Sequence, residues 1–267
     1  MTCSLIITTY NWKEALELVL VSALKQTVLP AEIIIADDGS STDTKELIDT
    51  FISKTDISII HSWQEDDGFR ASASRNKAIA KASNDYIILI DGDMILHQDF
   101  IKDHLLYAKR NHFIQGSRIL LTQEKSQEVF KNKLTEFSFF EKGLQNRKNR
   151  IKCNLLTNIF SKSNKNLKGI KTCNMSFFKE DCFKVNGFNE DFVGWGREDS
   201  EFVVRLLNND ILRSNIKFSA IAYHIYHNEN SREMLSINDE ILEKTVTSNA
   251  LLCNNGINKY IEGELCQ

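Results

Sequence analysis

The sequence predicts an α/β fold in which helices cover both faces of a mostly parallel central sheet. Four apolar runs have the length of buried strands: CSLIITT at 3–9, EIIIA at 32–36, ISIIHSW at 57–63 and DYIILI at 85–90. Segments with helical spacing of apolar residues separate these runs. Continuous apolar strands that alternate with helices are typical of a parallel sheet that is buried on both faces.

The helices between these strands are predicted from spacing and caps. Asn11 is predicted to cap the first helix, because Glu14 follows three residues later as in a capping box and the apolar residues of 12–24 recur at helical spacing. A second helix carries its apolar face at 47–52. The segment 71–82, ASASRNKAIAKA, predicts a helix rich in small residues.

The regular alternation stops after residue 121. Residues 122–170 are polar, and we expect helical pieces and no clear strand there. A compact block then returns, with a strand at 174–178, a short helix at 179–185 and a strand at 218–223. One last helix is predicted around 234–246.

Composition sets the broad class of the protein. The chain has 267 residues and 42% hydrophobic content, enough for one substantial core. The first apolar run, SLII at 4–7, is too short for a signal peptide or a membrane span, so we expect a cytoplasmic location. Six cysteines without a CxxC pair indicate reduced thiols and argue against structural zinc.

A basic segment interrupts an otherwise slightly acidic chain of net charge −3. It contains nine basic residues and no acid: Lys142, Arg147, Lys148, Arg150, Lys152, Lys162, Lys165, Lys168 and Lys171. One interpretation is a solvated, mobile loop. The other is a surface that meets anionic lipid or a phosphate-bearing substrate. Nucleic acid is not expected as a partner, because no nucleic-acid-binding signature accompanies the charges.

Polar residues follow three of the predicted strands. Thr8-Thr9-Tyr10 follows the first, Asp37-Asp38-Gly39-Ser40 the second and Asp91-Gly92-Asp93 the fourth. Ligands of parallel sheets bind at the carboxyl ends of the strands, where these groups meet. Two carboxylates in one turn repel each other unless a cation lies between them. Mn²⁺ or Mg²⁺ would complete its shell with phosphate oxygens, which predicts a nucleoside diphosphate ligand.

A second acidic cluster lies in NEDFVGWGREDSEFVVRL at 189–206. Glu198 and Asp199 open a predicted helix, whose positive end tolerates clustered acids. Glu201 is predicted to be solvated. The alternative interpretation is an N-capping acid cluster followed by core positions, which leaves Gly-Trp-Gly at 194–196 unexplained.

Four motifs in this order resemble those of family 2 glycosyltransferases of the GT-A fold, a Rossmann-like α/β architecture. They are SLIITTYN, EIIIADDGSSTDT, GFRASASRNKAIAKASNDYIILIDGDM and GFNEDFVGWGREDSEFVVRL. The last motif is similar to a galactosyltransferase-type region that β-1,4-galactosyltransferases share with chondroitin-polymerising enzymes.

The resemblance implies four segments. They are a nucleotide-sugar-binding half at 1–120, a basic variable insertion at 121–170, an acceptor and catalytic half at 171–230, and a C-terminal helical extension at 231–267.

The resemblance also implies roles for the donor-binding residues. Thr8 and Tyr10 would line the base pocket, and Asp38 would accept a hydrogen bond from the uracil N3–H. Asp91 would contact the ribose or the metal, whereas Asp93 would ligate the metal directly.

Two arginines have alternative roles. Arg70 or Arg75 would contact the diphosphate or hold the acidic loop. The alternative is a structural ion pair with Asp66 or Asp67.

The histidine motif departs from the family pattern. Where galactosyltransferases carry Met-x-x-His in the metal site, this chain carries His224-Ile225-Tyr226-His227. Residues i and i+3 of a strand point to opposite faces. Unless the strand ends at Tyr223, we therefore expect a single ligand and favour His227 over His224.

In the resembling enzymes the aspartate of the Glu-Asp pair is the general base and the glutamate binds sugar hydroxyls, which assigns Asp199 and Glu198. Trp195 would offer a flat platform to a sugar face, while Gly194 and Gly196 allow its loop to close over the donor.

These motifs together predict an enzyme, an inverting, metal-dependent hexosyltransferase. It would move a sugar, with a preference for galactose or N-acetylgalactosamine, from a UDP-sugar to a glycan or lipid-diphosphate-linked acceptor. The expected setting is bacterial surface polysaccharide synthesis (lipopolysaccharide O-antigen or capsule), with 142–171 in peripheral contact with the inner membrane. The alternatives are a sugar nucleotidyltransferase and a catalytically silent sugar-binding protein of the same fold.

Overall fold

The computed structural model describes residues 1–138, 140–228 and 231–261. Twelve strands lie within these residues: β1 (Ser4–Thr9), β2 (Glu32–Asp37), β3 (Ser58–Trp63), β4 (Tyr86–Asp91), β5 (Met94–Leu96), β6 (His112–Gln115), β7 (Arg118–Leu121), β8 (Leu144–Gln145), β9 (Lys162–Asn164), β10 (Asn174–Phe178), β11 (Leu212–Asn215) and β12 (Ala222–His224).

Nine α-helices accompany the strands in the described part of the chain. They are α1 (Lys13–Leu24), α2 (Thr42–Ile52), α3 (Ala71–Lys81), α4 (Phe100–Tyr107), α5 (Gln123–Asn132), α6 (Asn154–Phe160), α7 (Lys179–Lys184), α8 (Glu198–Asn208) and α9 (Leu235–Thr247). Short 3-10 helices span Arg147–Arg150 and Ile257–Tyr260.

The main sheet has eight strands in the order β3-β2-β1-β4-β10-β6-β11-β9. The first four are parallel to one another, and β6 is parallel to β11. β10 runs antiparallel to both of its neighbours, and β9 runs antiparallel at the edge. Parallel pairs are in the majority, so the predicted fold class is confirmed.

Two apolar cores cover the two faces of the main sheet. Along each strand, alternate residues enter opposite cores: Ile33 and Ile35 belong to the core that includes residues of α1, α2 and α4, whereas Ile34 belongs to the core that includes residues of α3, α7 and α8. Successive side chains of a strand point to opposite faces. This explains why these strands read as continuous apolar runs.

A second sheet of four strands, β5-β12-β7-β8, stands beside the main one. β12 is antiparallel to β5 and parallel to β7. Its register places His224 opposite Met94, the residue after Asp93. This small sheet therefore joins the Asp91-Gly92-Asp93 turn to the histidine motif at 224–227.

The predicted cap of the first helix is wrong. Helix α1 begins at Lys13, and Trp12 occupies the cap position without a side-chain hydrogen bond. Asn11 has a left-handed backbone (φ 46°), and its side-chain oxygen accepts a 2.9 Å hydrogen bond from the backbone N–H of Ser41. Asn11 thus ties the end of β1 to the turn after β2.

Two expectations for the second half also need correction. The segment 122–170 does contain strands, β8 and β9, and both pair with more regular strands. The strand predicted at 218–223 is shorter and later, because Phe218 and Ala220 have positive φ and pairing starts at Ala222. Short strands of this kind are specified by their partners.

The five cysteines that the structure describes are free thiols, as expected. Within the described ranges, no helix combines the length and the apolar character that a membrane crossing requires. The four-segment division of the chain stays a prediction.

Candidate active site

The three polar turns meet at the carboxyl ends of β1, β2 and β4. Strand register sets Thr9 beside Asp37 and Thr8 beside Asp91. The Thr8 hydroxyl donates a 3.2 Å hydrogen bond to Asp91. A Cβ on Gly92 would collide with the carbonyl oxygen of Thr8, so this close approach requires glycine. The parallel strands thus place these groups together, as the sequence predicts.

Asp38 is buried and held on both of its oxygens. Gln64 Nε2 donates to Oδ1 at 2.6 Å, and the backbone N–H of Arg70 donates to Oδ2 at 2.8 Å. Burial raises the pKa of Asp38 to about 6. Its neighbour Asp37 contacts His61 and the backbone N–H of Ser40, so Asp37 shapes the turn.

Tyr10 follows β1 and is exposed. Its hydroxyl donates a 2.9 Å hydrogen bond to Asp66. Arg70 pairs with Asp67 at 2.8 Å, which matches the ion-pair alternative for this arginine.

A cluster of possible metal ligands lies at the end of the Asp91-Gly92-Asp93 turn. The Nε2 atoms of His224 and His227 each lie 3.4 Å from Asp93 Oδ2, and one ligand atom from each of the three residues falls within 4.8 Å of the others. The other oxygen of Asp93, Oδ1, is buried and has no hydrogen-bond partner among the described residues.

Both imidazoles lie on the same side, next to Asp93, whereas a strand that continued through residue 227 would point them to opposite faces. Which of them binds a metal stays a prediction. The alternation argument assumed that the strand continues to residue 227. Pairing with β5 ends at His224, and the backbone N–H of Ile225 bonds to the carbonyl of Asp93 at 3.0 Å. The chain then leaves the strand, and His227 points back to the same carboxylate.

The electrostatics of this cluster suit a cation. Burial, together with the charge of Asp91, raises the pKa of Asp93 to about 8. Burial, together with the charge of Arg118, lowers the pKa of His224 to about 3. A bound cation removes the cost of the buried carboxylate charge, and neutral imidazoles are its natural partners. One carboxylate and two imidazoles therefore fit a divalent metal.

Arg75 connects the Asp91-Gly92-Asp93 turn to the second acidic cluster. It is buried in α3, with Nη2 at 3.8 Å from Asp91 and Nη1 at 3.1 Å from Glu198. Its guanidinium also lies 5.3 Å from the centre of the Phe188 ring. Arg75 thus links the turn that carries Asp91 to the start of α8, so two motifs that are distant in the sequence lie close together.

Asp199 is half-buried at the start of α8. Its Oδ1 accepts a 2.6 Å hydrogen bond from the backbone N–H of Ser200, and no hydrogen bond to Oδ2 is formed by the residues described. Burial, together with the charge of Glu198, raises the pKa of Asp199 to about 7. A carboxylate in this state can accept a proton at neutral pH.

The prediction that Glu201 is solvated is wrong. Glu201 is 1% exposed and accepts two hydrogen bonds from the buried Arg205, at 2.8 and 2.6 Å. Thr245 of α9 adds a third, at 3.2 Å. The i,i+4 spacing places Arg205 over Glu201 on the inner face of α8. This acid therefore anchors the helix in the protein interior.

The Gly-Trp-Gly loop is fastened to α9. Gly194, Gly196 and Arg197 all have positive φ, so the loop follows a left-handed path that favours glycine. The side-chain amide of Asn238 donates to the carbonyls of Val193 (3.1 Å) and Gly196 (3.0 Å).

Trp195 stands partly exposed at the tip of this loop. The guanidinium of Arg232 lies 5.8 Å from the centre of its ring.

Two further basic residues lie near the site: Arg118, which no sequence motif marks, and Lys171, the last residue of the basic segment. Arg118, at the start of β7, lies 3.8 Å from the sulfur of Cys173. Lys171 is held through its backbone by the side chain of Gln115. The charges of both act on Asp91, Asp93 or Asp199. No sequence pattern places either residue at the site, because the pairing of β7 with β12 and the hydrogen bonds between Lys171 and Gln115 bring them there.

The fold and the site define an α/β transferase domain of the GT-A type. The family model described as "Glycosyl transferase family 2" matches residues 4–165, so the chain belongs to glycosyl transferase family 2, as its motifs predict. A second model, "N-terminal domain of galactosyltransferase", matches residues 156–228.

Comparison with individual proteins agrees with this family. The chain is 27% identical to a chondroitin synthase of Escherichia coli over 83% of this chain and 34% of that protein. It is 29% identical to a hyaluronan synthase of Pasteurella multocida over 83% of this chain and 24% of that protein. The chain thus spans about a quarter to a third of the length of these relatives.

Solved structures support the fold. The crystal structure of S. aureus TarS 1–349 matches with a TM-score of 0.61 and 16% identity, and the match covers 97% of this chain and 68% of that one. At this identity the likeness concerns the fold.

Proposed function

We propose that the chain is an inverting, metal-dependent glycosyltransferase that moves a hexose from a UDP-sugar to an acceptor hydroxyl. The observation that carries this proposal is the bridge made by Arg75. It joins Asp91, two residues from the metal ligand Asp93, to Glu198, the neighbour of Asp199. Groups suited to a diphosphate and a group suited to proton removal therefore lie close together.

The nucleotide would bind at the ends of β1 and β2. Thr8 and Tyr10 border this region, and Asp38 presents a carboxylate whose position Gln64 and Arg70 fix. A carboxylate held in this way can accept a hydrogen bond from the N3–H group of uracil, which supports UDP as the donor nucleotide.

Asp93, His224 and His227 would hold the metal. When bound, a divalent metal neutralises the charge that develops on the departing diphosphate. Two imidazoles beside one carboxylate suit Mn²⁺ better than Mg²⁺, which prefers oxygen ligands and water. Arg118 and Lys171 add positive charge to the same region and would assist diphosphate binding.

Asp199 would act as the general base. In the proposed reaction the acceptor hydroxyl transfers its proton to Asp199, its oxygen bonds to the anomeric carbon, and the bond from that carbon to the UDP oxygen breaks. Attack from the side opposite to UDP inverts the configuration. Glu198, held by Arg75, would bind sugar hydroxyls, and Trp195 would lie against a sugar face.

The relatives suggest the class of product. Two relatives, a chondroitin synthase and a hyaluronan synthase, are named for the polysaccharides that they form. The match to a galactosyltransferase family model favours galactose or N-acetylgalactosamine as the donor sugar. We therefore propose a role in bacterial surface polysaccharide synthesis, in lipopolysaccharide O-antigen or capsule. The acceptor would be a glycan or a lipid-diphosphate-linked sugar, reached from the cytoplasm at the inner membrane.

A donor panel tests this function. Purified protein is incubated with individual UDP-sugars, Mn²⁺ and short glycan or lipid-linked acceptors, and UDP, pyrophosphate and sugar products are measured. We expect acceptor-dependent UDP release with one or two donors, and an inverted linkage in the product by NMR. Pyrophosphate release would indicate nucleotidyl transfer instead. Donor binding without any release would indicate a silent sugar-binding protein.

A further inference from the structure

Helix α6 displays an apolar ridge on the surface of the basic segment. Leu155, Ile159 and Phe160 are 68%, 56% and 49% exposed, although the helix has only seven residues. We define these three residues as the α6 ridge. A contiguous exposed apolar patch of this kind marks an interaction site, whereas single exposed apolar residues are ordinary.

The inner side of the helix fixes the ridge in place. Thr157 is fully buried, and its hydroxyl lies 2.8 Å from the hydroxyl of Ser219. The ring of Phe160 contacts the ring of Phe218, with centroids 5.8 Å apart. Residues 218 and 219 lead directly into β12, which ends at the metal-ligand residue His224. The ridge is therefore built onto the chain segment that carries part of the candidate active site.

Two exposed lysines lie next to the C-terminal end of the ridge. Lys162 follows Phe160 by two residues, and the backbone of Lys217 donates to the hydroxyl of Ser161 at 3.1 Å. The chain has no acid from 142 to 171. Four of its nine basic residues are engaged elsewhere: Arg150 is buried, Lys152 pairs with Asp103, Lys165 pairs with Asp210, and Lys171 lies near the candidate active site. The other five, Lys162 among them, are exposed.

This chemistry identifies the occupant as an anionic lipid surface. Protein interfaces are depleted in lysine, whereas segments that lie on membranes combine bulky apolar side chains with lysine and arginine. The negative surface potential of anionic lipids attracts such basic residues. We infer that the α6 ridge inserts among lipid head groups while Lys162 and Lys217 contact their phosphates. This inference rests on the proposed function only in that a lipid-linked acceptor resides at such a surface.

Vesicle sedimentation tests the inference without any enzyme activity. The full chain is mixed with vesicles of equal parts phosphatidylglycerol and phosphatidylcholine, or of phosphatidylcholine alone. We expect binding to the anionic vesicles, and roughly tenfold weaker partitioning for the Leu155→Ser/Ile159→Ser variant, since two exposed apolar side chains no longer enter the interface. The matched control is Leu251→Ser/Leu252→Ser, which removes two side chains of similar exposure (54% each) outside the ridge.

A second pair of variants tests the contribution of the lysines to vesicle binding. Lys162→Gln/Lys217→Gln should weaken binding several-fold and flatten its dependence on salt, whereas Lys54→Gln/Lys244→Gln should bind as the parent does. Equal binding of the ridge variant and the parent, or no binding of the parent, would overturn the inference. A concentration-dependent self-association that the ridge variant abolishes, seen by analytical ultracentrifugation, would assign the ridge to a second copy instead. Each outcome is independent of UDP release, so failure of this inference and of the proposed function can be told apart.

Discussion

The two sides of the candidate site are built in different ways. On the side proposed to hold the metal, here called the metal side, β5 and β12 pair through their backbones and so fix Asp93 and His224. On the side of the proposed base Asp199, here called the base side, Glu198 and the Gly-Trp-Gly loop are held by side chains from distant elements, Arg75 of α3 and Asn238 of α9. Backbone pairing tolerates many side-chain substitutions, whereas a single amide or guanidinium does not. We therefore expect remote substitutions to affect the base side more strongly.

The largest effect is expected from Asp199→Asn. An amide cannot accept the acceptor's proton, so the rate of sugar transfer should fall by roughly a thousandfold. Affinity for UDP with Mn²⁺, measured by calorimetry, should stay close to that of the parent because the metal side is intact. Asp56→Asn, an exposed substitution, serves as the control. Weakened UDP binding in the Asp199 variant would show that the two sides are not separable.

Asp93→Ala tests the metal side. Loss of the carboxylate should weaken Mn²⁺-dependent UDP binding by about ten- to a hundredfold. Because both imidazoles lie 3.4 Å from Asp93, His224→Ala and His227→Ala should each weaken it, by similar factors. Electron paramagnetic resonance of Mn²⁺ measures the affinity directly. A variant of one histidine that binds Mn²⁺ like the parent would restore the single-ligand interpretation.

Asn238→Ala examines how a remote side chain supports the base side. The loop would lose both amide hydrogen bonds to Val193 and Gly196, and kcat should fall about tenfold because catalytic groups are misplaced. UDP and Mn²⁺ affinity should be unchanged. Ser248→Ala, near the exposed end of α9, is the control. A fall in kcat that merely tracks a lower melting temperature would point to a general loss of folding.

The smallest effect concerns pH. Asp199 accepts a proton only when it is ionised, and burial beside Glu198 places its pKa at about 7. The value of kcat/KM should therefore rise with pH and level off above about 7. Glu198→Gln removes the neighbouring charge, so the pKa of Asp199 should fall and the acidic limb should move to lower pH. An unmoved limb would mean that another group titrates.

Much of the fold can be predicted from the sequence because it depends on local patterns. The strands β1 to β4 and β10 each contain an apolar run long enough to recognise. Strands β5, β7 and β12 have three or four residues, and β8 has two, so their existence depends on partners far along the chain. The cap at Asn11 failed for a similar reason, since contacts with Ser41 outweigh the local preference for a helix cap.

In the candidate site, too, some residues can be predicted from local motifs, whereas others are brought together only by the fold. Asp38, Asp91 and Asp93 are visible as turns at the ends of strands. Arg75 and Glu198 are 123 residues apart, and nothing in either motif indicates that they pair. The sequence also misjudged Glu201, because its partner Arg205 is adjacent only on a formed helix and its burial requires α9 to pack over it.

The sequence by itself determined the layered α/β plan, the family and the residue types of two acidic motifs, because apolar periodicity and turn chemistry act over a few residues. Only the tertiary structure decided that both histidines face Asp93, that Arg75 joins the two motifs, and that the ridge of α6 is exposed. Those outcomes depend on strand register and on packing between distant segments, where the free energy belongs to pairs of residues that no local pattern links.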